Sequence, residues 1–160
     1  YLAIDLGREY AYKGKGSIAS AWLPRGERLL EGEPESFAHG YLAMAHAYMA
    51  RSAGDLVSAR QLAESAVRIG TQTRNADLEA LALLALGSIM IAAGEVADGF
   101  GRMEEATLSA LNGELSPLIT GVTYCGVISV CRDLADYQRA GEWTEATEKW
   151  CEKHSISGFP

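Results

Sequence analysis

The residues best placed for covalent chemistry are Glu148, Cys151 and His154, which follow one another at intervals of three. On a helix this spacing brings the side chains to one surface, where an imidazole could activate a thiol as a nucleophile. The surrounding sequence supplies no recognisable oxyanion hole or enclosed pocket. We therefore predict no catalytic residue and no enzymatic activity for this segment.

Metal and phosphate sites have little support in the sequence. His39 and His46 are seven residues apart, about two helical turns, which is too far for one metal ion without further ligands. Gly14-Lys15-Gly16-Ser17 superficially resembles a phosphate-binding loop, but the upstream glycine and the preceding strand are absent. The sequence predicts neither a bound metal nor a cofactor.

Charge and cysteine content limit the partners and the compartment. The net charge is −7, and the C-terminal half carries the whole acidic excess, whereas nucleic acids and anionic membranes attract clustered Lys and Arg. Cys125, Cys131 and Cys151 match no zinc or redox motif, so we expect free thiols in a reducing cytoplasm. The longest nearly apolar run, residues 81–93, is too short to cross a bilayer.

The sequence predicts that helices position these residues, because Ala, Leu, Glu and Arg dominate. No segment alternates apolar and polar residues with the period of two that is typical of a strand. Four glycines, each followed five places later by a small residue, recur at steps of 40, 40 and 47: Gly14, Gly54, Gly94 and Gly141. A fixed period of this length indicates stacked repeats. We predict an all-α array with units of about 1–33, 34–73, 74–114 and 115–160. The missing initiator Met and the abrupt end predict a fragment of a longer chain.

Each of these glycines is expected to form the turn of a helical hairpin, since glycine adopts positive φ without a Cβ penalty. The predicted helices are 1–13 and 16–31, 36–53 and 55–70, 75–93 and 95–112, and 117–140 and 142–154. The expected N-caps are Ser36, Asn75 or Asp77, and Ser116 before Pro117.

Small residues near the turns predict close contact within each pair. Seven places before a turn glycine stand Gly7, Ala47 and Gly87, and five places after stand Ala19, Ala59, Gly99 and Ala146. In the fourth unit Leu134 occupies a position where a small residue is expected. The 47-residue step predicts that the helix from Pro117 is longer by about two turns.

Two sequence patterns resemble the tetratricopeptide repeat, whose typical period is 34 residues. They are Ala47…Gly54-Asp55…Ala59…Ala66 and Leu86-Gly87…Gly94-Glu95…Gly99…Ala106. The resemblance implies a right-handed α-solenoid of about four antiparallel helix pairs that binds proteins. Residues 21–30 and 140–146 are similar to C-terminal repeat regions of large bacterial LuxR-type, ATPase-coupled regulators. That likeness implies a scaffold within a transcriptional or signalling regulator.

In the tetratricopeptide family the first helix of each pair lines a concave groove. Counting from the turn glycines places Tyr and Arg there, the residue types that best anchor a partner, and they could bind an extended peptide or its carboxylates. The predicted groove residues are Arg8, Tyr12, Tyr41, Met44, Tyr48, Arg51 and Arg132. The alternative is that the tyrosines pack between helices or against a second subunit, so a homo-oligomer stays open.

The first helix of unit three is apolar on all sides and must be covered on all sides. Its predicted contact residues are Leu81, Leu84 and Ile91. The cover is either a partner protein, a second subunit, a ligand in an apolar cavity, or the neighbouring repeats. A small-molecule sensor is therefore the alternative to a protein-binding scaffold.

Overall fold

The computed structural model describes residues 2–156, apart from the side chains of Arg8, Ala11, Tyr12 and Ser20. Over this range the chain is all-helical and contains no strand, which confirms the predicted class. Neighbouring helices pack as pairs. The eight described helices are α1 (Leu2–Tyr12), α2 (Gly16–Leu30), α3 (Phe37–Ser52), α4 (Leu56–Thr73), α5 (Ala76–Ala92), α6 (Val96–Leu111), α7 (Pro117–Asp133) and α8 (Tyr137–Lys153).

The predicted N-caps are confirmed at the start of the odd-numbered helices that follow a loop. Ser36 caps α3, and its backbone N–H donates to Nδ1 of His39 at 3.1 Å. The side chain of Asn75 caps α5 by accepting from the N–H of Leu78 at 2.9 Å. Ser116 precedes Pro117 at the start of α7, and its N–H donates to Asp77 at 2.8 Å, which ties the start of α7 to the start of α5. Local sequence therefore fixes where these helices begin.

The first three glycine turns have the predicted backbone conformation. Gly14, Gly54 and Gly94 have φ of 68°, 83° and 92°, a region that glycine enters without steric cost. Each lies between the two helices of a pair. In the second turn Asp55 then caps α4 by accepting from the N–H of Ser58 at 3.0 Å.

The predicted fourth turn is wrong. Gly141 lies inside α8, and the turn falls at Ala135, which adopts φ of 56°. Asp136 directly follows and caps α8 by accepting from the N–H of Arg139 at 3.1 Å. A helix tolerates an internal glycine at a cost of about 1 kcal/mol, so Gly141 does not break it.

Because the turn lies at Ala135, two further predictions about unit four are wrong. The helix from Pro117 ends at Asp133 and has 17 residues, as many as α5, so it is not longer by two turns. Leu134 is its C-cap. The step from Gly94 to Ala135 is 41 residues, so the spacing of the turns is nearly constant.

Contacts between helices follow a simple order along the chain. Each helix of a pair packs against the other, each second helix packs against the first helix of the next pair, and the odd-numbered helices contact one another in sequence. Within the described residues, no two even-numbered helices contact each other at the level of the backbone, and no contact reaches beyond two helices along the chain. Among the described helices, the odd-numbered ones thus form one contiguous layer, and the even-numbered ones pack against it without backbone contact with one another.

The core is centred on α5, which packs against α3, α4, α6 and α7. The close approach predicted for small residues is confirmed for α5 and α6, because a Cβ on Gly87 would lie 2.5 Å from the carbonyl oxygen of Gly99. By contrast, α8 has no fully buried residue and covers the core only with partly buried side chains: Ala140, Trp143, Ala146 and Trp150.

Candidate functional site

The odd-numbered helices share equivalent positions three and six residues before each turn. These residues define what we call the odd-helix face: Tyr48 and Arg51 on α3, Ser88 and Ile91 on α5, and Ser129 and Arg132 on α7. The guanidinium of Arg51 donates to the hydroxyl of Ser88 at 2.7 Å, which shows that the two rows adjoin across neighbouring units. Tyr48 is 46% exposed, and Arg51, Ser129 and Arg132 are exposed.

Arg132 belongs to the odd-helix face because the fourth turn lies at Ala135 and not at Gly141. Counted from Ala135, Arg132 is the counterpart of Arg51 and Ile91. Its side chain is 68% exposed and pairs with the adjacent Asp133 at 2.8 Å. A pair this exposed contributes little to stability, so an incoming carboxylate can compete for the guanidinium.

Two predicted groove residues lie in the core of the chain. Tyr41 and Met44 are buried, and the ring of Tyr41 meets Phe37 edge-on at 6.4 Å between centroids. They stand nearer the start of α3 and belong to the same core cluster as Ile69 of α4 and Leu78 of α5. This part of the predicted groove is therefore a packing surface, which is the alternative that the sequence left open for the tyrosines. The side chains of Arg8 and Tyr12 lie outside the described residues.

The apolar helix of unit three is covered by the chain itself. Leu81 and Leu84 are 6% and 7% exposed, and Ile91 is partly buried against the same core. A Cβ on Gly126 of α7 would lie 3.6 Å from Leu84, so α7 packs directly on this side. Leu81 and Leu84 hence offer no surface to a partner in a single chain, because the neighbouring repeats provide the cover.

The histidines each have a local partner. His39 takes part in the N-cap of α3, while Nε2 of His46 lies 3.0 Å from a carboxylate oxygen of Glu27 on α2. The ring of His154 lies 5.5 Å from that of Trp150. No group of three metal-ligating side chains occurs within residues 2–156. None of the described helices has both the length and the hydropathy to cross a membrane.

The three cysteines are free thiols in different surroundings. Cys131 is fully buried, and burial raises the pKa of its thiol. Cys125 is exposed, yet partial desolvation, together with the nearby Cys151, raises the pKa of the Cys125 thiol as well. A raised pKa lowers the thiolate fraction at neutral pH, which disfavours nucleophilic chemistry.

Sequence reasoning missed a cleft of about 380 Å³ between α6 and α8. Its floor is Tyr124 of α7, whose ring centroid lies 6.2 Å from those of both Trp143 and Trp150. Burial raises the pKa of the Tyr124 hydroxyl. The seven-residue spacing of the two tryptophans, which places them on one face of a helix, was the signal available for this cluster.

No known family model matches this chain, and no curated protein or solved structure matches it.

Proposed function

We propose that the chain is a right-handed, tetratricopeptide-like α-solenoid. The nearly constant spacing of the turns and the restriction of contacts to nearby helices support this architecture. The close approach of Gly87 and Gly99 within one hairpin agrees with the small-residue pattern of such repeats. In this arrangement the layer of odd-numbered helices lines the concave side.

We propose that the odd-helix face binds an extended segment of a partner protein, without catalysis. The observation that carries this proposal is the contact between Arg51 and Ser88, which joins two repeats into one continuous polar row beside the half-exposed Tyr48. Arg binds carboxylates through two parallel hydrogen bonds, and Tyr provides a large contact area at low entropic cost. The row therefore suits an extended peptide that carries Asp or Glu.

We propose further that the segment serves a bacterial regulator of the LuxR-type, ATPase-coupled kind, in the cytoplasm. This proposal is supported by the similarity of residues 21–30 and 140–146 to sequences in the C-terminal repeat regions of such regulators. The full-length gene tests it. Flanking nucleotide-binding and helix-turn-helix segments would agree with the proposal, and a gene that encodes neither would overturn it.

The peptide-binding proposal is tested by fluorescence anisotropy with labelled 12-residue peptides, one rich in Asp and Glu and one of the same length rich in Lys. The wild-type chain should bind the acidic peptide. Tyr48→Ala with Arg51→Ala should weaken this binding about ten-fold or more, since both are anchor residue types. Equal binding of the two peptides, or an unchanged Kd in the variant, would refute the proposal.

A matched control replaces the same residue types outside the odd-helix face. Tyr137 is 71% exposed on α8, and the side chain of Arg102 is 52% exposed on α6. Tyr137→Ala with Arg102→Ala should leave the affinity for the acidic peptide unchanged. Circular dichroism should show equal helicity for both double variants.

We do not extend the proposal to a small-molecule sensor at unit three. Leu81 and Leu84 pack against the chain's own helices, and the cleft of about 380 Å³ lies between α6 and α8 instead. A rise in melting temperature with a small ligand, lost in Leu84→Arg, would favour the sensor.

A further inference from the structure

Side chains connect α6 and α8 on the N-terminal side of the residues that line the cleft. Arg139, in the first turn of α8, pairs with Glu104 of α6 at 3.4 Å and lies 4.4 Å from the ring centroid of Phe100. Further along, the cleft exposes Leu111 of α6 opposite Trp150 of α8. The second half of α8 therefore lacks a neighbour on this side within the described residues.

The side of α8 that lines the cleft has an ordered charge pattern. Glu142 and Glu145 stand in its first half, and Lys149 and Lys153 stand in its second half. Steps of three or four residues place all four side chains along one side of the helix. Since Glu142 and Lys153 are 11 residues apart, the stripe is about 16 Å long.

This pattern is complementary to itself when reversed. If two copies of α8 run antiparallel, Glu142 of one faces Lys153 of the other, and Glu145 of one faces Lys149 of the other. A two-fold axis that crosses the stripe between Glu145 and Lys149 forms all four pairs at once, which is the geometry of an isologous contact. In a parallel arrangement, like charges would face each other.

Exposed apolar side chains beside the stripe provide the affinity that surface charges alone do not. Leu108 and Leu111 are 59% and 54% exposed and lie one turn apart on α6. Exposed ion pairs are worth little, whereas charge complementarity orients two surfaces that apolar burial holds together. Of the two leucines, Leu111 lines the cleft, so a helix laid into it would cover Leu111 together with Ala146 and Trp150.

We propose that this cleft is a homodimer interface in which the α8 helices of two copies lie antiparallel across a two-fold axis. The occupant is a second copy of this chain, because α8 itself carries the charge order that the cleft requires. The interface is separate from the odd-helix face, so it does not depend on peptide binding there.

A charge-swap experiment tests the proposal through the mass of the full chain, measured by light scattering after size-exclusion chromatography. The wild type should elute at twice the chain mass of 17.1 kDa. An acidic variant, Lys149→Glu with Lys153→Glu, should be monomeric, as should a basic variant, Glu142→Lys with Glu145→Lys. Each should raise the dimer Kd about ten-fold or more, because like charges then face each other.

Mixing the acidic and basic variants should restore the dimer, since every pair across the axis is then of opposite charge. Glu148→Lys with Glu152→Lys makes the same charge change as the basic variant on residues that do not line the cleft, and it should remain dimeric. Circular dichroism should show unchanged helicity in every variant. Tyr48→Ala with Arg51→Ala should also remain dimeric, which keeps this test apart from that of the odd-helix face.

Three results would overturn the proposal. The first is a monomeric wild type at roughly 100 µM, a concentration that excludes all but very weak dimers and would leave the cleft to another partner. The second is dimerisation of both charge variants on their own, which would place the contact elsewhere. The third is a mixture of monomeric variants that stays monomeric.

Discussion

The hairpins α5–α6 and α7–α8 have the same plan but differ in how closely their helices approach. In the first, Gly87 and Gly99 face each other so closely that neither has room for a Cβ. In the second, the equivalent positions are Ile128 and Ala140, and the helices make fewer close backbone contacts. The consequence appears on the second helix of each pair, since α6 contributes several fully buried residues and α8 none.

This difference teaches that interhelical distance and the neighbouring helices together decide burial. Met103 of α6 is 1% exposed, whereas Thr144, its counterpart on α8, is exposed and turns its hydroxyl back to the carbonyl of Ala140 at 2.8 Å. The same helical position is thus core in one unit and surface in the next. Polar residues along α8 accord with the looser hairpin.

The largest expected difference between the two hairpins is in the free energy of unfolding when Met103 and Thr144 are each truncated to alanine. Met103→Ala should lower the free energy of unfolding by about 2–5 kcal/mol, because it leaves a cavity against α5. Thr144→Ala should change the free energy by less than about 0.5 kcal/mol. Urea unfolding followed by circular dichroism measures both, and equal losses would show that the hairpins are equally packed.

Adding a methyl group at the close contact should have the next largest effect. Gly87→Ala should cost about 1–3 kcal/mol, because its Cβ would lie 2.5 Å from the Gly99 carbonyl oxygen and from Met103 Cγ. Gly126→Ala on α7 is the control, since its Cβ would meet Leu84 at an ordinary 3.6 Å. Thermal melts should show a lower Tm for the first variant only; a Tm unchanged by Gly87→Ala would contradict the close approach.

The turns offer a smaller contrast. Gly94→Ala should cost about 1–2 kcal/mol, because an L-residue is strained at φ of 92°. Ala135→Gly relieves such strain but gives the unfolded chain more freedom, so the net change should stay below about 1 kcal/mol. Chemical unfolding of both variants checks this, and a large loss in Ala135→Gly would mean that the Ala135 methyl group is needed for packing.

The smallest effect should be a gain. Gly141 lies in the second turn of α8, and a Cβ there would meet nothing within 4 Å. Gly141→Ala should therefore raise the free energy of unfolding by about 0.5–1 kcal/mol through helix propensity alone. A loss of stability would mean that Gly141 is a turn residue after all, as the spacing of the glycines first indicated.

Most of the fold could be predicted from the sequence, because local signals specify it. Gly14, Gly54 and Gly94 mark three turns, and Ser36, Asn75 and Ser116 mark three helix starts. The fourth turn escaped prediction because Ala135 carries no signal for positive φ. Gly141 and Glu142 have the same Gly-Glu sequence as the turn at Gly94, but they lie within a helix. Packing against the rest of the chain stabilises that helix despite the glycine.

The candidate site was less predictable, because exposure depends on the neighbouring repeat. Tyr41 and Tyr48 are the same residue type on one helix, yet the first is buried and the second is half exposed. Arg51 and Arg132 could be predicted as surface cations, but the link from Arg51 to Ser88 joins residues 37 positions apart. The cleft between α6 and α8 needed three helices to be placed before it could be seen.

The restriction of contacts to helices near each other in the chain, found throughout residues 2–156, also governs how the molecule comes apart. Chains rich in local contacts fold quickly, and stacked units open from their ends while the middle persists. Amide hydrogen exchange should accordingly be slowest in α5 and fastest in α8. A pull on the two termini should peel away α7 and α8 before the pairing of α4 with α5 yields.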